Sequence, residues 1–265
     1  MDKTKLLDKA AAAGEERLLL AKILDRLEQA RSRNIPVCTD FLSPQEQASA
    51  LAVLRLAGIR EDEAAVLGGY PGAERKVLLF LPDWLEPSDA ESQTPIRCLR
   101  ARFRPEYELS HRDFLGSLMG MGIVREKLGD ILVGRDSCDL IVLDSVAEFL
   151  LQSWEEAGRA RLTVSAIEPA DLQVPEVKVQ ELRDTVMTLR LDAVASTGFQ
   201  MSRSKAAALI EGGKVQVNWR DCVKSDRLLT QGDTVSARGF GKFELTEVGG
   251  VSRKGRTSIV LKRYV

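Results

Sequence analysis

The stretch from Leu189 to Val217, LRLDAVASTGFQMSRSKAAALIEGGKVQV, restricts the fold of this 265-residue chain more than any other. Its punctuation predicts two short helices followed by a strand. A helix carrying Arg190 and Asp192 closes near Thr197-Gly198. A second starts at Ser202, whose hydroxyl suits the unpaired N–H groups of a helix start. It stops at Gly212-Gly213, where a glycine takes the left-handed conformation that ends helices. Lys214-Val215-Gln216-Val217 then alternates as a half-buried strand does. Arg190, Arg203, Lys205 and Lys214 fall at or near element ends, where they project together as a candidate RNA surface.

Four segments occur in a telling order: Arg190-Leu191-Asp192, Ser202-Arg203-Ser204-Lys205-Ala206, Gly213-Lys214-Val215-Gln216-Val217-Asn218 and Gly232-Asp233. They resemble the S4 domain, the αL-motif RNA-binding module of ribosomal protein S4, some tRNA synthetases and pseudouridine synthases. One position departs from that pattern, because the family commonly places Gly after the Asn and this chain has Trp219.

Structured RNA is recognised largely by shape and by phosphate and 2′-hydroxyl contacts, so cations in a fixed pattern matter more than base-reading side chains. Arg190 and Arg203 are candidates to grip phosphate with a guanidinium fork, and Lys205 and Lys214 supply point charges. Ser202 offers its hydroxyl and neighbouring N–H groups at a helix start. Asn218 either bonds RNA or holds the strand-end turn. Arg220, Lys224 and the run Arg253-Lys254-Arg256 are edge candidates, and Trp219 either stacks on a base or covers the sheet. Asp192 reads as structural, because an acid on such a face needs a cationic partner.

The charge distribution agrees with this placement. The whole chain has a formal charge of −1, but residues 181–265 carry 15 Lys and Arg against 9 Asp and Glu, a net of +6. The preceding 180 residues are acidic at −7. A basic module on an acidic body assigns polyanion binding to one domain.

Residues 1 to about 33 predict one helix with an apolar stripe (Leu19, Ile23, Leu27 among others), broken at Asn34-Ile35-Pro36. A second helix begins at Ser43-Pro44, a cap followed by a proline at the first turn. The cluster Gly68 to Arg75 predicts a turn, and Val77 to Leu81 a strand. From Ile96 to Ile167 the order is strand (96–103), helix (112–121, capped by Ser110), strand (130–133), strand (139–143), helix (145–157, stopped by Gly158), strand (161–167). That is the βαββαβ order of ferredoxin-like domains. RNA-recognition motifs share it, but they stack bases on aromatics of the two central strands, and the strands taken to correspond here, Asp130 to Val133 and Asp139 to Leu143, have none. If this domain touches RNA, Arg125, Lys127 and Arg135 are its candidates; otherwise it is a scaffold.

Gly68-Gly69-Tyr70 with Ala73-Glu74-Arg75-Lys76, the run Arg112 to Gly120, and Arg125 to Asp130 resemble the YlmH-type S4 proteins of bacteria, as does Arg238-Gly239-Phe240-Gly241-Lys242-Phe243. Cyanobacterial and plastid relatives of that group are called photosystem II S4 domain proteins. The resemblance implies an N-terminal region, an RRM-like middle and a C-terminal S4 domain. It further implies binding of structured ribosomal RNA or tRNA, 23S rRNA included, on the large ribosomal subunit, linked in bacteria to rescue of stalled translation.

The expectation is therefore an α+β chain. A mainly helical region spans 1–75, an RRM-like domain 76–170, a linker bracketed by Pro169 and Pro175 runs over 171–180, and the S4 domain with a C-terminal strand extension covers 181–265. Val177 to Met187 predicts a lead-in strand, and Val235 to Arg238, Phe243 to Val248 and Ser258 to Lys262 predict later ones. No apolar run approaches the ~18 residues of a membrane span, and the charged N-terminus resembles neither a signal nor a transit peptide, so the cytoplasm is expected. The four scattered cysteines and single histidine (His111) argue against zinc. No cofactor, metal, catalytic residue or small-molecule substrate is expected. Arg190-Leu191-Asp192 echoes the catalytic-Asp segment of pseudouridine synthases, but with five residues from Asp to Thr where that segment has three. A protein-interaction adaptor, or a photosystem-related factor that uses the S4 domain, is the remaining alternative.

Overall fold

The computed structural model describes residues 3–10, 13–176, 178–252 and 254–264. The chain divides into two units, Met1–Pro175 and Glu176–Val265.

The first unit begins with α1 (Lys3–Lys9) and α2 (Gly14–Arg33). The single predicted helix is thus two, because Ala13 is extended and Gly14 has a φ of +55°. Asn34 ends α2 in the left-handed conformation, where the break was expected. After β1 (Val37–Cys38), α3 (Pro44–Leu56) starts with the anticipated cap. The Ser43 hydroxyl accepts the Glu46 N–H at 3.4 Å, and the Glu46 carboxylate accepts the Ser43 N–H at 2.6 Å. Two further strands, β2 (Ala64–Leu67) and β3 (Val77–Phe80), complete a sheet of order β1-β3-β2. The three helices pack on it through Leu20, Ile23, Val53, Leu78 and Phe80.

The same unit continues with β4 (Ile96–Arg102), α4 (His111–Gly120), β5 (Leu128–Val133), β6 (Ser137–Leu143), α5 (Asp144–Ser153), the short hairpin β7 (Glu156–Ala157) and β8 (Ala160–Arg161), and β9 (Thr163–Ile167). The sheet order β5-β6-β4-β9, antiparallel throughout, is ferredoxin-like as expected. Two details differ from expectation. The second helix ends at Ser153, and Gly158, with φ +58°, turns the β7–β8 hairpin and does not stop the helix. Ser110 does occupy the N-cap of α4, but its hydroxyl bonds the Asp113 carboxylate at 2.6 Å, which also accepts the Ser110 N–H at 2.8 Å.

Both faces of this sheet are covered. Leu99, Leu140 and Val142 pack on Phe114, Leu118 and Trp154 of the helical layer. On the opposite face, Cys98, Leu132, Ile141 and Leu143 pack on Phe41 and Val77 of the N-terminal region. The remainder of that face holds a buried ion pair, with Arg100 Nε and Nη2 donating to Asp139 at 2.6 and 2.7 Å. Arg100 also reaches the Asp171 carbonyl and Asp139 accepts the Gln173 N–H, both at 2.7 Å, so residues 171–173 are strapped across the strands.

Two of the family-like motifs of this unit, 68–76 and 125–130, form the joint between its two sheets. Asp130 accepts Tyr70 Oη at 2.8 Å, the Glu74 N–H at 2.7 Å and the Arg75 N–H at 3.0 Å. Arg75 donates to the carbonyls of Leu128, Phe41 and Arg125, and Arg125 to those of Leu128 and Gly129. Burial and the neighbouring Arg75 push the Arg125 guanidinium down to about 10.

The second unit comprises β10 (Val179–Val186), α6 (Leu191–Gly198), α7 (Arg203–Glu211), β11 (Val215–Val217), β12 (Arg220–Asp221), β13 (Thr234–Ala237), β14 (Gly241–Val251) and β15 (Thr257–Tyr264). Its sheet runs β10-β15-β14-β13-β11-β12, each pair antiparallel. The expected lead-in strand is β10; Val177 lies outside the described residues. The helix pair sits on the sheet through Phe199, whose ring meets Phe243 edge-on at 5.0 Å. A Cβ on Gly198 would come within 2.3 Å of the Phe243 ring, so this glycine is demanded by close approach. Gly213, with φ +67°, supplies the left-handed residue expected after α7.

Candidate nucleic-acid interface

The two helices of the second unit are joined at their N-termini by one carboxylate. Arg190 is the N-cap of α6, Asp192 lies in its first turn, and Arg203 opens α7. Asp192 accepts Arg190 Nε at 3.2 Å and Nη2 at 3.1 Å, and Arg203 Nη2 at 3.0 Å on each oxygen. The Asp192 side chain is 8% exposed and that of Arg203 55%, so the acid is inside and the cation outside. Burial acts to raise the Asp192 carboxyl, but the hydrogen bonds from Arg190 and Arg203 outweigh it and hold the group below the usual carboxylate range. Arg203 bonds Asp192 through Nη2, so among the described residues its Nε and Nη1 donors are left for an external acceptor, as is Nη1 of Arg190. The residue read as structural from sequence is what orients the two arginines.

A distant segment completes this end. Residues 225–229 run beside 189–192: the Leu191 N–H donates to the Arg227 carbonyl at 2.7 Å, Asp192 to Ser225 at 3.0 Å, and Leu229 to Leu189 at 2.8 Å. Lys224, an expected candidate, and Arg227, which motif reading passed over, are both exposed there. Only the long-range pairing identifies Arg227, since no motif surrounds it.

The other candidates divide by what they already bond. Ser202 caps α7, its hydroxyl accepting the Lys205 N–H at 3.3 Å. The Lys205 ammonium is held 5.4 Å from the Phe240 ring centroid. Lys214 and Arg220 are exposed. Asn218 is committed to the turn: its amide donates to Asp233 at 2.6 Å and accepts the Thr234 N–H at 2.9 Å. Asp233 also accepts the Thr230 N–H at 2.7 Å, which ties the Gly232-Asp233 motif to the strand-end asparagine. Lys254 is exposed, Arg256 bonds the Thr185 hydroxyl at 2.9 Å and its carbonyl, and Arg253 lies outside the described residues. Arg203 and Arg256 share the wall of a cavity of about 180 Å³ with Thr188, Ser196 and Thr197.

The ferredoxin-like sheet presents no comparable surface. The face on which RNA-recognition motifs stack bases is filled by Phe41, Val77 and residues 171–173. Of its candidate cations, Arg125 points into the joint and Lys127 pairs with Asp40 at 2.7 Å, leaving Arg135 exposed at the β5–β6 turn. All four cysteines are free thiols; burial pushes Cys38 up to about 12 and Cys98 up to about 11. Among the described residues no three His, Cys, Asp or Glu side chains gather as a metal site, and no helix is long and apolar enough to cross a membrane.

A helix pair with arginines anchored at its N-termini, backed by an antiparallel sheet, defines a module of the S4 class. Residues 189–235 match the S4 domain model, residues 15–85 that of the YlmH N-terminal region, and residues 101–171 that described as a putative RNA-binding domain in YlmH. The chain is 35% identical over 226 residues to the ribosome-associated protein quality control protein P2 of Bacillus subtilis (strain 168), covering 85% of this chain and 86% of that one. Its fold is similar to the solved structure of cell division protein ylmH from Streptococcus pneumoniae, with a TM-score of 0.51 at 17% identity, over 62% of this chain and 97% of the other. The chain belongs to the YlmH family of S4-domain proteins.

Proposed function

We propose that this protein is a non-catalytic, cytoplasmic RNA-binding factor that uses its second unit to bind structured RNA, 23S rRNA or tRNA, on the large ribosomal subunit. The observation that carries the reading is the Asp192 clamp, which holds Arg190 and Arg203 at adjoining helix N-termini with donors left over. Guanidinium groups so oriented match phosphate oxygens, and helix N-termini favour anions. Lys205, Lys214, Arg220 and Lys224 would extend the surface, with Arg227 beside Lys224. Ser202 and Asn218 serve it indirectly, as cap and turn. The Bacillus subtilis relative is named for ribosome-associated protein quality control, which favours the ribosome as the place of action and rescue of stalled translation as the context.

Crosslinking the protein in cells and sequencing the attached RNA tests this directly. Enrichment of 23S rRNA and tRNA, with crosslinks concentrated in 181–265, is the expected outcome. Enrichment of mRNA alone would remove the ribosome from the proposal. Recovery of an acidic protein with no RNA would favour the adaptor alternative.

A further inference from the structure

We propose that Trp219 is a stacking site for one unpaired base of the bound RNA. The inference rests on the RNA-binding reading above and adds a ligand class, structured RNA that carries a bulged or looped-out nucleotide.

Asn218 and Trp219 are the two-residue connection between β11 and β12, with φ of 49° and 63°. Positive φ at both central residues marks the type I′ hairpin turn, whose favoured pair is Asn-Gly. Asn218 suits its position. A tryptophan in the left-handed region is strained, and glycine would close the same turn without strain.

Core packing does not offset that strain. Trp219 is half-buried, belongs to no hydrophobic cluster of its unit, and its Nε1–H meets no protein acceptor among the described residues. The Lys242 ammonium lies 5.5 Å from its ring centroid and 4.8 Å from that of Tyr264. Arg220, the next residue, is exposed. The backbone beneath is pinned by the Asn218 amide, bonded to both Asp233 and Thr234. A half-open aromatic face beside an exposed cation is how single bases are stacked while their phosphates are held. A protein partner would call for an apolar patch around the ring, whereas its flanking residues and the side chain over its ring are Asn218, Arg220 and Lys242.

The test uses the full chain and two labelled RNAs, a perfect duplex and the same duplex with one bulged nucleotide, followed by fluorescence anisotropy. Wild-type protein is expected to prefer the bulged RNA by about tenfold, as one stacked base provides. Trp219→Ala should abolish that preference while keeping duplex affinity within about twofold, since phosphate contacts supply the sequence-independent part. Trp219→Phe should retain most of the preference. Trp219→Gly should raise the Tm by relieving the turn, and still lose the preference. An Ala variant that discriminates as wild type does, or a wild type that shows no preference, overturns the inference. Wild-type protein binding neither RNA overturns the underlying RNA-binding reading instead, so the two failures are told apart.

Discussion

A carboxylate beside a phosphate-binding surface is unfavourable on Coulombic grounds, so Asp192→Asn separates two views of the site. If Asp192 were merely tolerated, removing its charge would tighten RNA binding. As the common acceptor of Arg190 and Arg203, it should do the opposite: affinity falls about tenfold, because both guanidinium groups lose their orientation. Filter binding at fixed salt distinguishes the outcomes, and tighter binding would rule out the clamp. The same variant should lose about 1–2 kcal/mol of stability, less than for a fully buried pair because Arg203 is largely solvated. The pH dependence has a definite sign. The folded Asp192 carboxyl lies below its unfolded value, so its contribution is fully present above about pH 4 and is lost as pH falls through the lower folded value. Acid titration followed by circular dichroism should show that component in wild type and lack it in Asp192→Asn.

At the scale of elements, two close fits lend themselves to measurement. Gly198 lies against the Phe243 ring, and Gly198→Ala forces either the ring or α6 to move. Overpacking of this kind costs about 1–3 kcal/mol, readable as a lower urea midpoint for the second unit; an unchanged midpoint would mean that the helix is not seated on Phe243. In the first unit, Asp139→Asn leaves the Arg100 guanidinium buried without its counter-charge and frees residues 171–173 from the sheet. Removing one partner of such a pair costs about 3–5 kcal/mol. Protection of the Gln173 amide from hydrogen exchange should disappear in the same variant, and its persistence would show that the strap is held by other contacts. Elements with local signals were legible in sequence: the Ser43-Pro44 start, the Gly212-Gly213 stop, and the βαββαβ order. β1 and β2 were not, since two residues carry no periodicity and half of the Ala64–Leu67 strand is alanine, a poor strand former.

For the whole molecule, the net charge of −1 conceals a +6 segment, and binding should follow the segment. RNA affinity is expected to fall steeply with salt, as release of counterions requires. Replacing Arg203 and Lys205 together by Gln should weaken binding across unrelated RNA sequences and flatten the log–log salt slope by about 2, one unit per lost phosphate contact. A double variant with the wild-type slope would place the surface elsewhere. The face that RNA-recognition motifs use is filled in the first unit, which is why the salt dependence should be carried by residues of the second.

Some of this protein was determined by sequence alone. Caps, left-handed glycines and apolar periodicity act over a few residues, so helix starts, turns and the order of elements could be read in a line. The candidate cations Arg190, Arg203, Lys205 and Lys214 were identified on the same basis, from their places at element ends. Tertiary structure alone decided what those residues bond. It brought Arg203 to a carboxylate eleven positions earlier, laid 225–229 along 189–192, and paired β10 with β15 from the far end of the unit. It also placed Phe41 and residues 171–173 over a sheet whose own sequence cannot say which face is open. The physical reason is that burial and electrostatic pairing depend on which surfaces meet across long loops, and no local pattern records that meeting.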